Sequence, residues 1–403
     1  MTNVDKWLWL TVKCGIRRAK IKVMLDEVFG SIDALYAATP GEYSKFSFLT
    51  PTERNKLCDK SVDGIDSFLN TLAQYDVKIL TADDETYPYL LKETADYPYV
   101  LYCRGKNYIN LNDYLCIALV GSRKATQYGL NVARSLANDL AKNGALVVSG
   151  MADGIDSAAH LGALDAKAPT VAVLGCGINR VYPASNAYLM KRIMETGMVM
   201  TEYPPNSEPM KHHFPERNRI ISGISSGTVV VEATFKSGSL ITASLANDAG
   251  REVYAIPGNI NSLNSKGTNQ LLKDGALLAT NADDIIVNYA SKEEFKEKIA
   301  RAIVLREEKE AKTRIAPDIL YPSDENNSFS EKKSGFEHGK NPEVKDLSDA
   351  EKVLSVINGE PIHIDKISAL TGISVSDLSV CLLELELNGK IISQAGDLYT
   401  LAI

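Results

Sequence analysis

The sequence predicts an α/β protein: a doubly wound parallel sheet, preceded by a small helical module and followed by a winged-helix module. Three observations carry this expectation. The segments Cys116–Val120, Ala145–Ser149, Thr170–Leu174, Met198–Glu202, Thr228–Glu232 and Glu252–Ile256 are apolar on nearly every residue, the pattern of strands buried on both faces. Helical stretches such as Leu130–Lys142, Asn186–Glu195 and Leu240–Asp248 lie between most of them, so each strand–helix–strand step reads as a parallel crossover. The segment 347–403 reads as three helices and a hairpin.

Taken in order, residues 1–75 form the helical module. Leu8, Leu10, Val12, Ile21, Met24, Leu25 and Val28 recur near helical spacing, with turns at Cys14-Gly15 and Gly30-Ser31, and nothing in the module has a catalytic pattern. Residues 76–112 hold VKILTADD and YPYVLYCRG, β-rich runs broken by Tyr-Pro pairs, read as an extended lead-in. Together with the strands and helices that follow, they make a 76–290 core. Residues 291–346 read as a charged linker, SKEEFKEKIARAIVLREEKEAKTR with helical character and then a polar stretch of the composition typical of disorder. In 347–403 the helices are Leu347–Ile357, Ile362–Leu370 and Val375–Leu387, and the hairpin turns at Ala395-Gly396. This module has three lysines against eight carboxylates, and Val375–Leu387 carries no Lys or Arg. A phosphate-reading helix needs cations, so a protein-contact or packing role is expected for it.

Composition narrows the function. Over 403 residues, 45% are hydrophobic and 24% charged, ordinary for a globular chain. There is no apolar run of spanning length, and the start lacks a secretory pattern. Six cysteines are scattered without a CxxC pair, which fits a reducing, cytoplasmic setting and neither a disulfide framework nor a zinc site. The net charge of −7 opposes wholesale coating by nucleic acid, but leaves a local basic cleft open.

Enzyme signatures are missing: there is no GxxxxGK[ST], no HExxH and no GxSxG elbow between strand and helix. The first core strand runs into Gly121-Ser122-Arg123-Lys124 rather than GxGxxG, which argues against a dinucleotide oxidoreductase. That turn lies where open sheets bind ligands, and it joins a close backbone approach at Gly121 to two cations. A second cluster, Lys211-His212-His213-Phe214-Pro215-Glu216-Arg217-Asn218-Arg219, sets three cations, an amide and a ring within nine residues. Cations hold phosphates and a ring stacks a base, so the mix suits single-stranded nucleic acid. One of Arg217 and Arg219 could equally be structural, paired with Glu202 or Glu232 under the sheet. The adjacent histidines lack partners at metal-ligand spacing. In a third, Lys236-Ser237-Gly238-Ser239 opens a helix, with hydroxyls and free N–H groups beside a lysine. Asp156 and His160 stand four apart on one helix. An acid–base pair there is conceivable, and a helix-internal hydrogen bond is the commoner reading.

Together these motifs resemble the DprA family, also called Smf, of bacterial DNA-processing proteins. The resemblance rests on VGSR at 120–123, SGMADGIDSAAHLGAL at 149–164, GCGINRVYPASN at 175–186, TEYPP at 201–205, FPERNRIISGIS at 214–225, VVVEATFKSGSLITA at 229–243 and AIPGNI at 255–260. It implies an extended Rossmann-like core that binds single-stranded DNA, forms homodimers and loads RecA recombinase during natural transformation, with no cofactor, metal or catalysis. It also implies a SAM-like front module and a winged-helix tail. By the same resemblance Gly121, Ser122 and Arg123, beside Lys124, form a phosphate-binding turn. Lys211 and Phe214 grip the strand and a base, Arg217, Asn218 and Arg219 form an RNR element, and Lys236, Ser237, Gly238 and Ser239 a second phosphate loop. The alternative is a nucleotide sensor or phosphoribohydrolase-like enzyme on a related fold. Such hydrolases resemble this domain but use PGGxGTxxE, and here Ala243 stands where the catalytic Glu is sought.

Overall fold

Alternate residues of the first core strand go to opposite cores, and this sets the architecture. Leu115, Ile117 and Leu119 pack into one hydrophobic cluster and Cys116, Ala118 and Val120 into another, as the two-residue period of a strand demands. The computed structural model describes residues 1–61, 63–315, 349–357, 362–387, 390–394 and 398–401. Two compact units are formed, 1–319 and 320–403.

The first unit is built on nine strands: β1 Val77–Thr81, β2 Val100–Arg104, β3 Leu115–Val120, β4 Ala145–Ser149, β5 Thr170–Val173, β6 Met198–Thr201, β7 Gly227–Val230, β8 Glu252–Ala255 and β9 Leu277–Leu278. They lie in the order β1-β2-β6-β5-β4-β3-β7-β8-β9. From β6 across to β9 every pairing is parallel. The chain winds outward from β3 through β4, β5 and β6, then returns to place β7 on the other side of β3. The order therefore reverses between β3 and β7, and the crevice beyond their carboxyl ends is where such sheets take ligands. Helices Gln127–Lys142 and Ile155–Asp165 cover one face, and His213–Gly223 and Gly238–Asp248 the other.

The segment 76–112 is more than a lead-in. β1 and β2 form an antiparallel pair, and β2 runs antiparallel to β6, so the segment widens the sheet. The region expected to be linker from 291 begins as the helix Glu293–Ile315. Phe295, 7% exposed, sets its ring edge-on to Tyr289 at 5.3 Å, so the start of this helix belongs to the core. The remaining stretch of that expectation, 316–346, lies outside the described residues.

The front of the chain is helical, with threonines capping its short helices. Thr2, Thr39 and Thr50 each form a capping box, and Pro40 and Pro51 are the first residues of the helices that Thr39 and Thr50 cap. Trp7 stacks on Tyr99 at 4.9 Å and its Nε1 donates to Asp83 at 2.7 Å. Its apolar side merges with Leu174, Cys176 and Ile178 of the α/β core in a single cluster. No helix among the described residues is long and apolar enough to cross a membrane.

The second unit has helices Asp349–Val356, Ile364–Thr371 and Val375–Leu387 around Val353, Ile367, Leu378, Leu382 and Leu385. β10 Ile362–His363, β11 Ile391–Gln394 and β12 Leu398–Leu401 form its sheet in the order β10-β12-β11. The expected start of a helix at Ile362 is instead strand, because Ile362 and His363 pair with Tyr399 and Leu398. The turn expected at Ala395-Gly396 lies outside the described residues.

Candidate nucleic-acid interface

At the end of β3 the backbone turns under close constraint. Ser122 N donates to Glu232 O at 2.8 Å, and Ile155 N donates to Ser122 O at 3.2 Å. A Cβ on Gly121 would stand 2.6 Å from Ile155 and 3.0 Å from Glu232 O, so only glycine fits. Ser122 Oγ accepts from Lys124 N at 3.1 Å, which folds the turn and leaves Arg123 and Lys124 exposed. Glu232 serves the scaffold: its carboxylate accepts from Thr126 N at 2.9 Å and Thr126 Oγ1 at 2.5 Å, where the next helix starts. The negative charge there suits the helix dipole.

Opposite stands the helix His213–Gly223. Phe214, Arg217, Asn218 and Ile221 recur at helical spacing and line one cleft of about 610 Å³ with Gly121, Arg123, Lys211, Ser237, Gly238 and Ser239. The Arg123 guanidinium sits 5.0 Å from the centre of the Phe214 ring, a cation–π distance. The Tyr182 ring lies tilted beside that ring with centres 5.2 Å apart, and a Cβ on Gly175 would come 2.9 Å from Phe214. Gly175 is therefore the floor on which Phe214 lies. Lys211 is exposed at the rim.

Arg217 is 3% exposed. Its Nη1 donates to Gly150 O at 2.6 Å and to Val173 O, tying the carboxyl ends of β4 and β5. Burial lowers its pKa, and the Asp156 carboxylate works against that. Asp156 in turn accepts from Gly150 N at 3.2 Å and Ala152 N at 3.4 Å, and burial raises its pKa against the pull of Arg217. No acid–base pair forms with His160, whose Nδ1 meets Thr170 Oγ1 at 2.8 Å in the interior. Asp156 lines the cleft and His160 does not.

The third wall is the start of helix Gly238–Asp248. Ser237 caps it, accepting from Ser239 N at 3.3 Å, and its Oγ lies 2.7 Å from Ser239 Oγ. Asn218 Nδ2 donates to Gly238 O at 3.4 Å, bridging two walls. Lys236 is exposed on the loop just before this helix, outside the cleft lining. Arg123, Lys124, Lys211 and Lys236 have no ion pair among the described residues.

Arg219 is placed elsewhere. Its Nη2 donates to Glu202 Oε2 at 2.5 Å on the back of the helix, so of the two arginines it is the one paired with Glu202. His213 stacks on Tyr203 at 3.9 Å. No group of three metal-capable side chains occurs among the described residues. Sequence reasoning passed over Tyr182 and Gly175. Both lie in the GCGINRVYP stretch, whose Gly-x-Gly directly after a strand was the available signal.

Fold and site together define a doubly wound α/β protein with a cationic, ring-bearing cleft at its switch point. A family model described as DNA recombination-mediator protein A matches residues 78–290, and one described as DprA winged helix domain matches 340–397. The chain belongs to this DprA/Smf family of DNA-processing recombination mediators. Protein Smf of Escherichia coli is 41% identical over 225 residues, 56% of this chain and 60% of that protein. Protein Smf of Synechocystis is 32% identical over 338 residues, 82% of each chain. The X-ray structure of DNA processing protein A from Streptococcus pneumoniae superposes with a TM-score of 0.63 at 33% identity, over 71% of this chain and 98% of that one.

Proposed function

We propose that this chain binds single-stranded DNA in the switch-point cleft and acts as a mediator that protects the strand and loads RecA onto it. The observation that carries the reading is the Arg123–Phe214 pair, 5.0 Å apart, in one cleft with Lys211 and a capped helix start. A cation beside a half-buried ring offers a phosphate contact and a stacking surface in one step, with no base-edge code. Such a site prefers unpaired bases, because a duplex hides their faces. RecA loading and a role in natural transformation rest on family membership. Self-association is supported by the terminal strand β9, where Leu278 is 55% exposed, since an apolar sheet edge invites pairing, and by Ile260 and Leu263 on the segment after β8, 80% and 68% exposed.

A non-catalytic role is supported by the commitment of the acidic groups. Glu232 holds a helix start and Asp156 its own turn. Mobility shift with single- and double-stranded oligonucleotides of equal length tests the reading. Arg123→Ala, and Lys211→Ala with Phe214→Ala, should each weaken single-strand binding sharply with native circular dichroism, the ring alone being worth ~1–3 kcal/mol. Undiminished binding in both would remove the cleft from the account.

A further inference from the structure

Two arginines from distant parts of the chain meet on one carboxylate. Glu202 follows β6 directly, and its side chain is 6% exposed. Its Oε2 accepts from Arg219 Nη2 at 2.5 Å and from Arg18 Nη1 at 2.5 Å. Asp96, on the loop ahead of β2, closes the ring: it accepts from Arg18 Nε and Nη2 at 3.1 Å each and lies 3.3 Å from Arg219 Nε. Two guanidiniums and two carboxylates cancel in charge, which suits a half-buried cluster.

The ring joins two elements that otherwise serve different ends. Arg219 sits on helix His213–Gly223, whose other face presents Phe214, Arg217 and Asn218 to the cleft. At about 100° per residue, position 219 lies roughly 140° round from 214. Arg18 opens the helix Arg18–Met24 of the front module. Tyr203 adds to the grip, its hydroxyl donating to Glu216 Oε2 at 3.0 Å. Arg18, Asp96 and Glu202 are all absent from the cleft lining.

We propose that Glu202, held by Arg18, is a positioning residue that sets the seat of the strand-facing helix, so that the front helical module takes part in DNA affinity without touching DNA. This rests on the cleft reading above. Without Arg18, the back of the helix keeps Arg219 on Glu202 and beside Asp96, but the tie from this cluster to the front module is gone and Asp96 loses its two closer donors. The ring and cations on the front then lose their alignment, while no phosphate-contacting charge is removed.

The test is fluorescence anisotropy with labelled oligo-dT across a salt series, on the full chain and its Arg18→Gln, Arg18→Lys and Phe214→Ala variants. Arg18→Gln should weaken binding by about 2- to 30-fold, the range carried by coupled side chains. Its slope of log K against log salt should match the parent, because the number of displaced counterions is unchanged. The active fraction from stoichiometric titration should stay full, and Arg18→Lys should recover part of the affinity. Parent-like affinity in Arg18→Gln, with binding lost in Phe214→Ala, overturns this proposal alone. A shallower slope makes Arg18 a phosphate contact and overturns it too. Parent-like binding in Phe214→Ala overturns the cleft reading itself. If Arg18→Gln does not fold, Asp96→Asn opens the same ring from its exposed rim, with the same expected loss and unchanged slope; parent-like affinity there overturns the proposal.

Discussion

Phe214 shows how glycine and arginine chemistry make a base platform. Gly175 gives the ring its floor, and Arg123 and Tyr182 both pack against it. An alanine at 175 puts a methyl 2.9 Å from Phe214 Cδ1, and the ring must tip into the cleft. Gly175→Ala should therefore lower oligo-dT affinity about fivefold, a part of the ~1–3 kcal/mol that stacking supplies, with the unfolding midpoint little changed. Titration beside Phe214→Ala checks it, and the two together should cost scarcely more than Phe214→Ala alone, since both act through one ring. Gly238 makes the contrast. A Cβ there meets nothing within 4 Å, so its place in the motif answers to no packing need of this chain. The residue types of the cleft were legible in the sequence because cations, rings and glycines beside strand ends have few other uses. Which arginine turns inward was not, since Arg217 and Arg219 differ only by their turn on a helix.

Helices and strands differ in how openly they declare themselves. β3 to β7 were readable because strands buried on both faces are apolar at nearly every residue. The helix His213–Gly223 was not, because one face meets a polar cleft and another an ion-paired ring, so its apolar stripe is short. The hairpin β1–β2 escaped because its pairing with β6 spans about a hundred residues of chain that no local pattern encodes. The helix Ile155–Asp165 makes a testable point at this scale. His160 on it is fully buried against β5, and burial pushes its pKa down to about 3. Unfolded, the imidazole titrates near ~6.5. Between those values the unfolded chain binds a proton that the folded chain refuses, so stability falls as pH drops from ~6.5 toward 3, by up to ~1.4 kcal/mol per pH unit. Above ~6.5 the effect is absent. Denaturant melts of the parent and His160→Gln across this range should show the variant with the flatter dependence; parallel curves would mean that the ring takes up its proton in the fold.

The whole molecule carries a net charge of −7, yet Arg123 and Lys211 line its cleft without an ion pair among the described residues, so binding is decided by the local field. Arg123, Lys124, Lys211 and Lys236 are the exposed cations about the cleft and its approaches. At roughly 0.7 counterion per neutralised phosphate on a single strand, four of them predict a slope of log K against log salt of about −3. The described residues that line the cleft all belong to the unit 1–319. The helix Val375–Leu387 of the other unit has no Lys or Arg to add to that slope. A chain ending at residue 319 should therefore bind oligo-dT with the parent's affinity and the parent's slope. A slope that flattens on truncation would locate phosphate contacts in 320–403. Weaker binding at an unchanged slope would instead give those residues an uncharged part in holding the strand.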